Sequence, residues 1–167
     1  MGQFQSVVSR QREFFETGKT KALSFRLNKL KQLYDAIRRF EPDIMASLRA
    51  DLNKSAFEAY ATEIGYVLSE LRSTIKRLPR WAKPERVRSG LAQFGSRSRI
   101  YREPYGVVLV MAPWNYPFQL AAAPLLGAVA AGNCAIVKPS ELTPSVSEVF
   151  SRLIAETFEP EHVTVVQ

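Results

Sequence analysis

Cysteine and histidine are nearly missing from this chain: 167 residues contain only Cys134 and His162. A lone thiol excludes an intramolecular disulfide and any multi-cysteine metal site, and one histidine beside it leaves too few ligands for zinc. A chain without disulfides fits a reducing compartment, and the expected location is cytoplasmic. Long apolar runs are lacking too. The most apolar region, 105–132, is interrupted by Pro113, Asn115, Pro117, Gln119 and Pro124, so no membrane segment is expected. The amino terminus, MGQFQSVVSRQREFF, meets charge too early for a secretory apolar region. Gly2 with Ser6 alone is a weak match to a myristoylation signal and is discounted. Internal repeats and low-complexity tracts are also missing.

What remains is the composition of an ordinary globular protein, 46% hydrophobic and 23% charged, long enough for one real core. The net charge of +7 is unevenly placed. Residues 1–103 carry 21 Lys+Arg against 11 Asp+Glu, a balance of +10, and residues 104–167 carry 2 against 5, a balance of −3. Between 72 and 102 ten basic side chains face only Glu85. Such a run attracts nucleic acid or other anions in some proteins. Here it lacks interleaved aromatics, a zinc motif or a helix-turn-helix pattern, and it reads as a solvated helix end followed by a charged edge strand. No nucleic-acid partner is expected.

The first half is helical in pattern. Phe4, Val7, Val8, Phe14 and Phe15 give a short amphipathic helix that Gly18 ends. Leu23, Leu27, Leu30, Tyr34 and Ile37 mark one face of a second. Pro42 is expected to restart a helix with Ile44, Leu48 and Leu52 inward. Asp51-Leu52-Asn53-Lys54-Ser55 reads as a polar turn. A long helix follows, with Tyr60, Ile64, Val67, Leu68, Leu71, Ile75 and Leu78 on one side and Pro79 and Pro84 bracketing its end. Lys83 to Gly95 reads as loop, and Ser96 to Glu103 as a polar strand, an edge or a pairing surface for another subunit.

The texture changes at Pro104. Val107-Val108-Leu109-Val110-Met111 is expected to be a parallel strand covered on both faces. Pro117 to Ala131 suits a helix stopped by Gly132-Asn133, Cys134 to Val137 a second strand, and Thr143-Pro144 a helix start. Val163 to Val166 reads as a third strand. The fold class is α/β: a helical N-terminal segment, then the first half of a doubly wound parallel sheet. The expected divisions are 1–82 for the helical part, 83–103 for linker and polar strand, and 104–167 for the strand–helix–strand–helix–strand unit.

Two turns at one sheet edge carry the chemistry, where open α/β sheets bind ligands. After the first strand, Ala112-Pro113-Trp114-Asn115-Tyr116-Pro117 contains no glycine, which excludes a G-x-G-x-x-G phosphate grip there. Asn115 reads first as the N-cap of the following helix and second as an amide donor that stabilises an oxyanion. After the second strand, Lys138-Pro139-Ser140-Glu141 can meet ribose hydroxyls or a 2′-phosphate, or can be a solvated loop.

The stretch YREPYGVVLVMAPWNYPFQLAAAPLLGAVAAGNCAIVKPSELTP closely resembles the nucleotide-binding domain of aldehyde dehydrogenases. With DLNKS and a compact helical start, the likeness is closest to the class 3 or fatty-aldehyde branch. It covers nearly the whole chain and is most specific from Arg102 to Pro144. The resemblance implies oxidation of an aldehyde to a carboxylic acid with NAD or NADP, through a thiohemiacetal on a cysteine. It implies that Asn115 steadies the oxyanion, that Lys138, Ser140 and Glu141 lie in the ribose-contacting turn, and that Trp114 and Tyr116 wall the substrate tunnel. It assigns 96–103 to an oligomerisation hairpin and implies a homodimeric parent. The family's nucleophilic cysteine and general-base glutamate come downstream of the lysine motif and have no match among these residues. Cys134, beside Ala135-Ile136-Val137, reads as a buried core thiol. The chain therefore resembles the N-terminal part of such an enzyme and is expected to be inactive alone; the alternative is a non-catalytic nucleotide-binding or subunit-interaction fragment.

Overall fold

A computed structural model describes residues 3–90 and 95–167; the Gly2 match and the 91–94 part of the expected loop lie outside the described residues. The helical half comprises α1 (Gln3–Glu16), α2 (Leu23–Leu52), α3 (Ala56–Ala59) and α4 (Gly65–Trp81), with a π-helical turn, Tyr60–Ile64, joining the last two. A two-stranded antiparallel ribbon follows, β1 (Glu85–Val87) with β2 (Ser98–Ile100). The second half runs β3 (Val107–Met111), α5 (Pro117–Ala131), β4 (Cys134–Lys138), α6 (Pro144–Thr157) and β5 (Val163–Val165), and its parallel sheet has the order β3-β4-β5.

Strand alternation assigns the two faces of this sheet. Val108, Val110, Ala135, Val137, Val163 and Val165 join the main core with α5 and α6, and α2 closes the far side by packing along α6. The other face carries Leu109, Met111, Cys134 and Ile136, with α1 laid against it. Gln11 of α1 is fully buried there and donates to the Ala135 carbonyl at 2.9 Å.

Four expectations need correction. Pro42 does not start a helix but sits within α2. Leu30, Leu33, Ile37, Phe40, Ile44 and Leu48 are all buried without a change of phase, so packing on α6 holds one helix together. Pro42 and Arg38 are exposed, where water can satisfy the carbonyl the proline leaves unpaired. Tyr60 is out of the long apolar stripe and 43% exposed, because the π turn adds a residue between it and Ile64. The loop expected from Lys83 contains β1, which pairs Glu85 with Ile100 and Val87 with Ser98. Its residues are all exposed, so no burial alternation marked it. Finally, the second face of β3 is covered by α1 only near the start of the strand, with Leu109 61% and Met111 69% exposed. Phe15 of α1 reaches Gly106 at the strand's start, and a groove of about 660 Å³ lies between α1 and the open face.

Candidate functional site at the carboxyl edge of the sheet

The parallel register sets Met111 beside Lys138, and the Ala112 N–H donates to the Lys138 carbonyl at 3.0 Å. The turns leaving β3 and β4 therefore begin side by side at the edge where open α/β sheets place ligands.

In the first turn Trp114, Asn115 and Tyr116 are all exposed. Asn115 is not the N-cap of α5. Tyr116 holds that position, and no side chain of the turn caps the helix. The cap comes from Glu63, 55 residues earlier, whose Oε2 accepts from Phe118 N–H at 2.9 Å and Gln119 N–H at 3.1 Å. Glu63 is fully buried, and its Oε1 pairs with Lys54 Nζ. That ammonium also donates to the Asn115 carbonyl at 3.1 Å and lies 4.2 Å from the Tyr116 ring centroid. A carboxylate suits the positive end of the helix dipole, and its cation keeps the buried charge balanced. The Asn115 side-chain amide has no hydrogen-bond partner among the described residues and remains available at the surface.

Glu63 stands on the π turn, where Gly65 N–H reaches back to the Tyr60 carbonyl. A Cβ on Gly65 would lie 2.9 Å from that oxygen and 3.1 Å from the Tyr60 ring, so the turn leaves no room for a side chain there.

The second turn is built differently. Lys138 Nζ and Glu141 Oε2 pair at 2.7 Å on the surface, and this hydrogen bond holds the Glu141 carboxyl below its ordinary range. Ser140 is buried: its Oγ accepts from Leu142 N–H at 3.2 Å, while its carbonyl accepts from the Ser147 hydroxyl at 3.0 Å. The start of α6 is also capped from the helical half, Asp51 accepting from Ser145 N–H at 3.3 Å and Val146 N–H at 2.9 Å. Lys138, Ser140 and Glu141 line a cavity of about 420 Å³ with Ser147, Glu148 and Gln167. Asn115, Trp114 and Tyr116 are not among the residues lining it.

Both helix starts are already satisfied by carboxylates, so neither offers free N–H groups to a pyrophosphate. The second turn instead offers an ammonium and a carboxylate beside its cavity, groups that can donate to and accept from the hydroxyls of a ligand. Cys134 is fully buried, and burial pushes its thiol up to about 11, a poor state for a nucleophile. Among the described residues no cluster of His, Cys, Asp or Glu could hold a metal, and no helix is long and apolar enough to cross a membrane.

Residues 2–167 match the profile of the aldehyde dehydrogenase family. The chain belongs to that family. It is 51% identical over 154 residues to 4,4'-diaponeurosporen-aldehyde dehydrogenase of Staphylococcus aureus, covering 92% of this chain and 34% of that protein. It is 40% identical over 156 residues to the dimeric NADP-preferring aldehyde dehydrogenase of the dog, covering 93% and 34%. A solved structure of a Staphylococcus aureus AldH in a substrate-bound state superposes with a TM-score of 0.97 at 48% identity, over 99% of this chain and 36% of that one. The chain thus spans about a third of the length of the relatives it matches, and its fold is that of the N-terminal portion of this family.

Sequence reasoning missed Glu63, Lys54 and Asp51 as parts of the site. Glu63 left a signal, since it falls in helical register with the buried Val67, Leu71, Thr74 and Leu78. An acid on an apolar face needs a partner. Lys54 and Asp51 looked like ordinary residues of a polar turn.

Proposed function

We infer that the chain forms the first part of the NAD(P)-binding region of an enzyme that oxidises an aldehyde to a carboxylic acid. The single observation that carries this reading is the pairing of two dissimilar turns on adjacent strands. One presents a free amide, and the other a lysine–glutamate pair beside a cavity. Asn115 would donate to the oxyanion that forms when a thiolate adds to the aldehyde carbonyl, with Trp114 and Tyr116 as walls. Lys138 and Glu141 would hold the cofactor's adenosine ribose, and Ser140 would shape that turn. When bound, NAD or NADP supplies the hydride acceptor. The dog relative's NADP preference agrees with a lysine that tolerates a 2′-phosphate.

In this reading residues 1–82 buttress the site, 83–103 form linker and oligomerisation strand, and 104–167 form the cofactor half. The exposed β1–β2 ribbon favours a subunit contact, as a homodimer would need. The chain alone is expected to lack turnover, because its one thiol is sealed in the core. Purified chain with a straight-chain aldehyde and NAD or NADP should form no NAD(P)H. Turnover that persists after Cys134→Ser would contradict this account of the nucleophile.

A further inference from the structure

We propose that Lys54 and Glu63 are positioning residues for the Asn115 amide. The turn between β3 and α5 must point that amide at one place, yet Asn115 is exposed and its side chain is unbonded. Two contacts hold its backbone. Lys54 Nζ donates to the Asn115 carbonyl at 3.1 Å, and Glu63 fixes the N–H groups of Phe118 and Gln119, three and four residues further on. The two holding groups are joined to each other, and both are buried. The carboxylate is delivered by a π turn, a feature frequent at functional sites, which tolerates no Cβ at Gly65. A simple cap would need none of this. At α6, Asp51 binds two N–H groups without a lysine partner or a π turn. The additional apparatus at α5 acts on the one residue of the turn whose amide is free.

The inference rests on Asn115 being the oxyanion donor, so its test has two arms. In the chain itself, Lys54→Met with Glu63→Gln removes both charges together, leaves a neutral acceptor for Phe118 and Gln119, and deletes the donor to the Asn115 carbonyl. Replacing both members avoids the uncompensated buried charge that either single substitution would leave. Positioning predicts a melting temperature near that of the parent chain but shifted or broadened Asn115 side-chain amide resonances. The exchange protection of the Val146 amide should be unchanged. A purely structural role predicts Asn115 resonances restored along with stability, and that result overturns the proposal. If the double variant melts early, Lys54→Arg keeps the charge and a donor, and the Asn115 signals must then stay near their original positions; a displacement as large as in the double variant overturns it.

In the enzyme that carries this segment, the double variant should lower kcat by about a hundredfold, as small misplacements of reacting groups do, with KM for aldehyde little changed. Asn115→Ala is the reference there. If it lowers kcat and the double variant does not, positioning fails while the oxyanion reading stands. If Asn115→Ala leaves kcat intact, the oxyanion reading itself fails.

Discussion

The two helices that follow β3 and β4 begin alike and are secured differently. Each has proline in its first turn, no side-chain cap from its own turn, and a carboxylate delivered by the helical half of the chain. At α5 the carboxylate is Glu63, fully buried, paired with Lys54 and mounted on a π turn. At α6 it is Asp51, half-buried and near the end of α2. The first arrangement fixes a turn from behind while leaving an amide in front. The second leaves its turn to local bonds of Ser140 and a surface ion pair that solvent and ligand can rearrange. In the proposed function, rigidity would thus fall where a developing charge is to be met, and adaptability where hydroxyls are to be exchanged for water.

The sharpest way to break this comparison is Lys54→Met alone. It strands the Glu63 carboxylate in the core, and losing one partner of a buried pair costs about 3–5 kcal/mol. A urea titration should show the midpoint falling far more than for any change at the second turn. A loss no larger than for Asp51 would mean the two caps are equivalent.

A pH titration supplies the control remote from both turns. His162 is buried among Phe14, Phe25 and Phe158, and its ring is pushed down to about 4 from an ordinary 6.5. Burial is the main cause, followed by the nearby Lys29 ammonium, against opposing contributions from Glu159 and the Asn133 backbone. The neutral ring is the folded form, so its contribution is complete above pH 6.5 and disappears as pH falls towards 4. About 3 kcal/mol should be lost over that window, by the usual conversion of a pKa shift to free energy. His162→Phe, which keeps the ring and removes the titration, should flatten that part of the stability curve. An unchanged slope would remove His162 as its source.

The smallest effect should come from Asp51→Ala. Loss of an ordinary N-cap costs about 1 kcal/mol, and amide exchange should rise at Ser145 and Val146 with Phe118 unaffected. Equal loosening at both helices would dissolve the distinction between them.

The sheet half was legible because its signals are local. Apolar β-branched runs, Thr143-Pro144 and the Gly132 stop place β3, α5, β4 and α6 without help from elsewhere. The side-by-side placement of the turns that carry Asn115 and Lys138 was legible for the same reason, because each turn directly follows one of these strands. Glu63 and Asp51 were not, because a cap supplied across 55 or 94 residues is a property of packing rather than of the turn it serves. Pro42 failed as a helix start for a related reason: contacts along the whole of α2 outweigh one lost hydrogen bond. The ribbon strand β1 was missed because an exposed strand of three residues has no buried face to leave a pattern.

The ribose reading of the second turn is tested most directly by calorimetric titration of the chain with NAD and with NADP, repeated for Lys138→Ala. The account predicts weak binding of at least one of the two, reduced by about tenfold when the charged donor is removed, the worth of one charge-assisted hydrogen bond. Binding that is undiminished in Lys138→Ala, or no binding of either nucleotide by the folded chain, would contradict it.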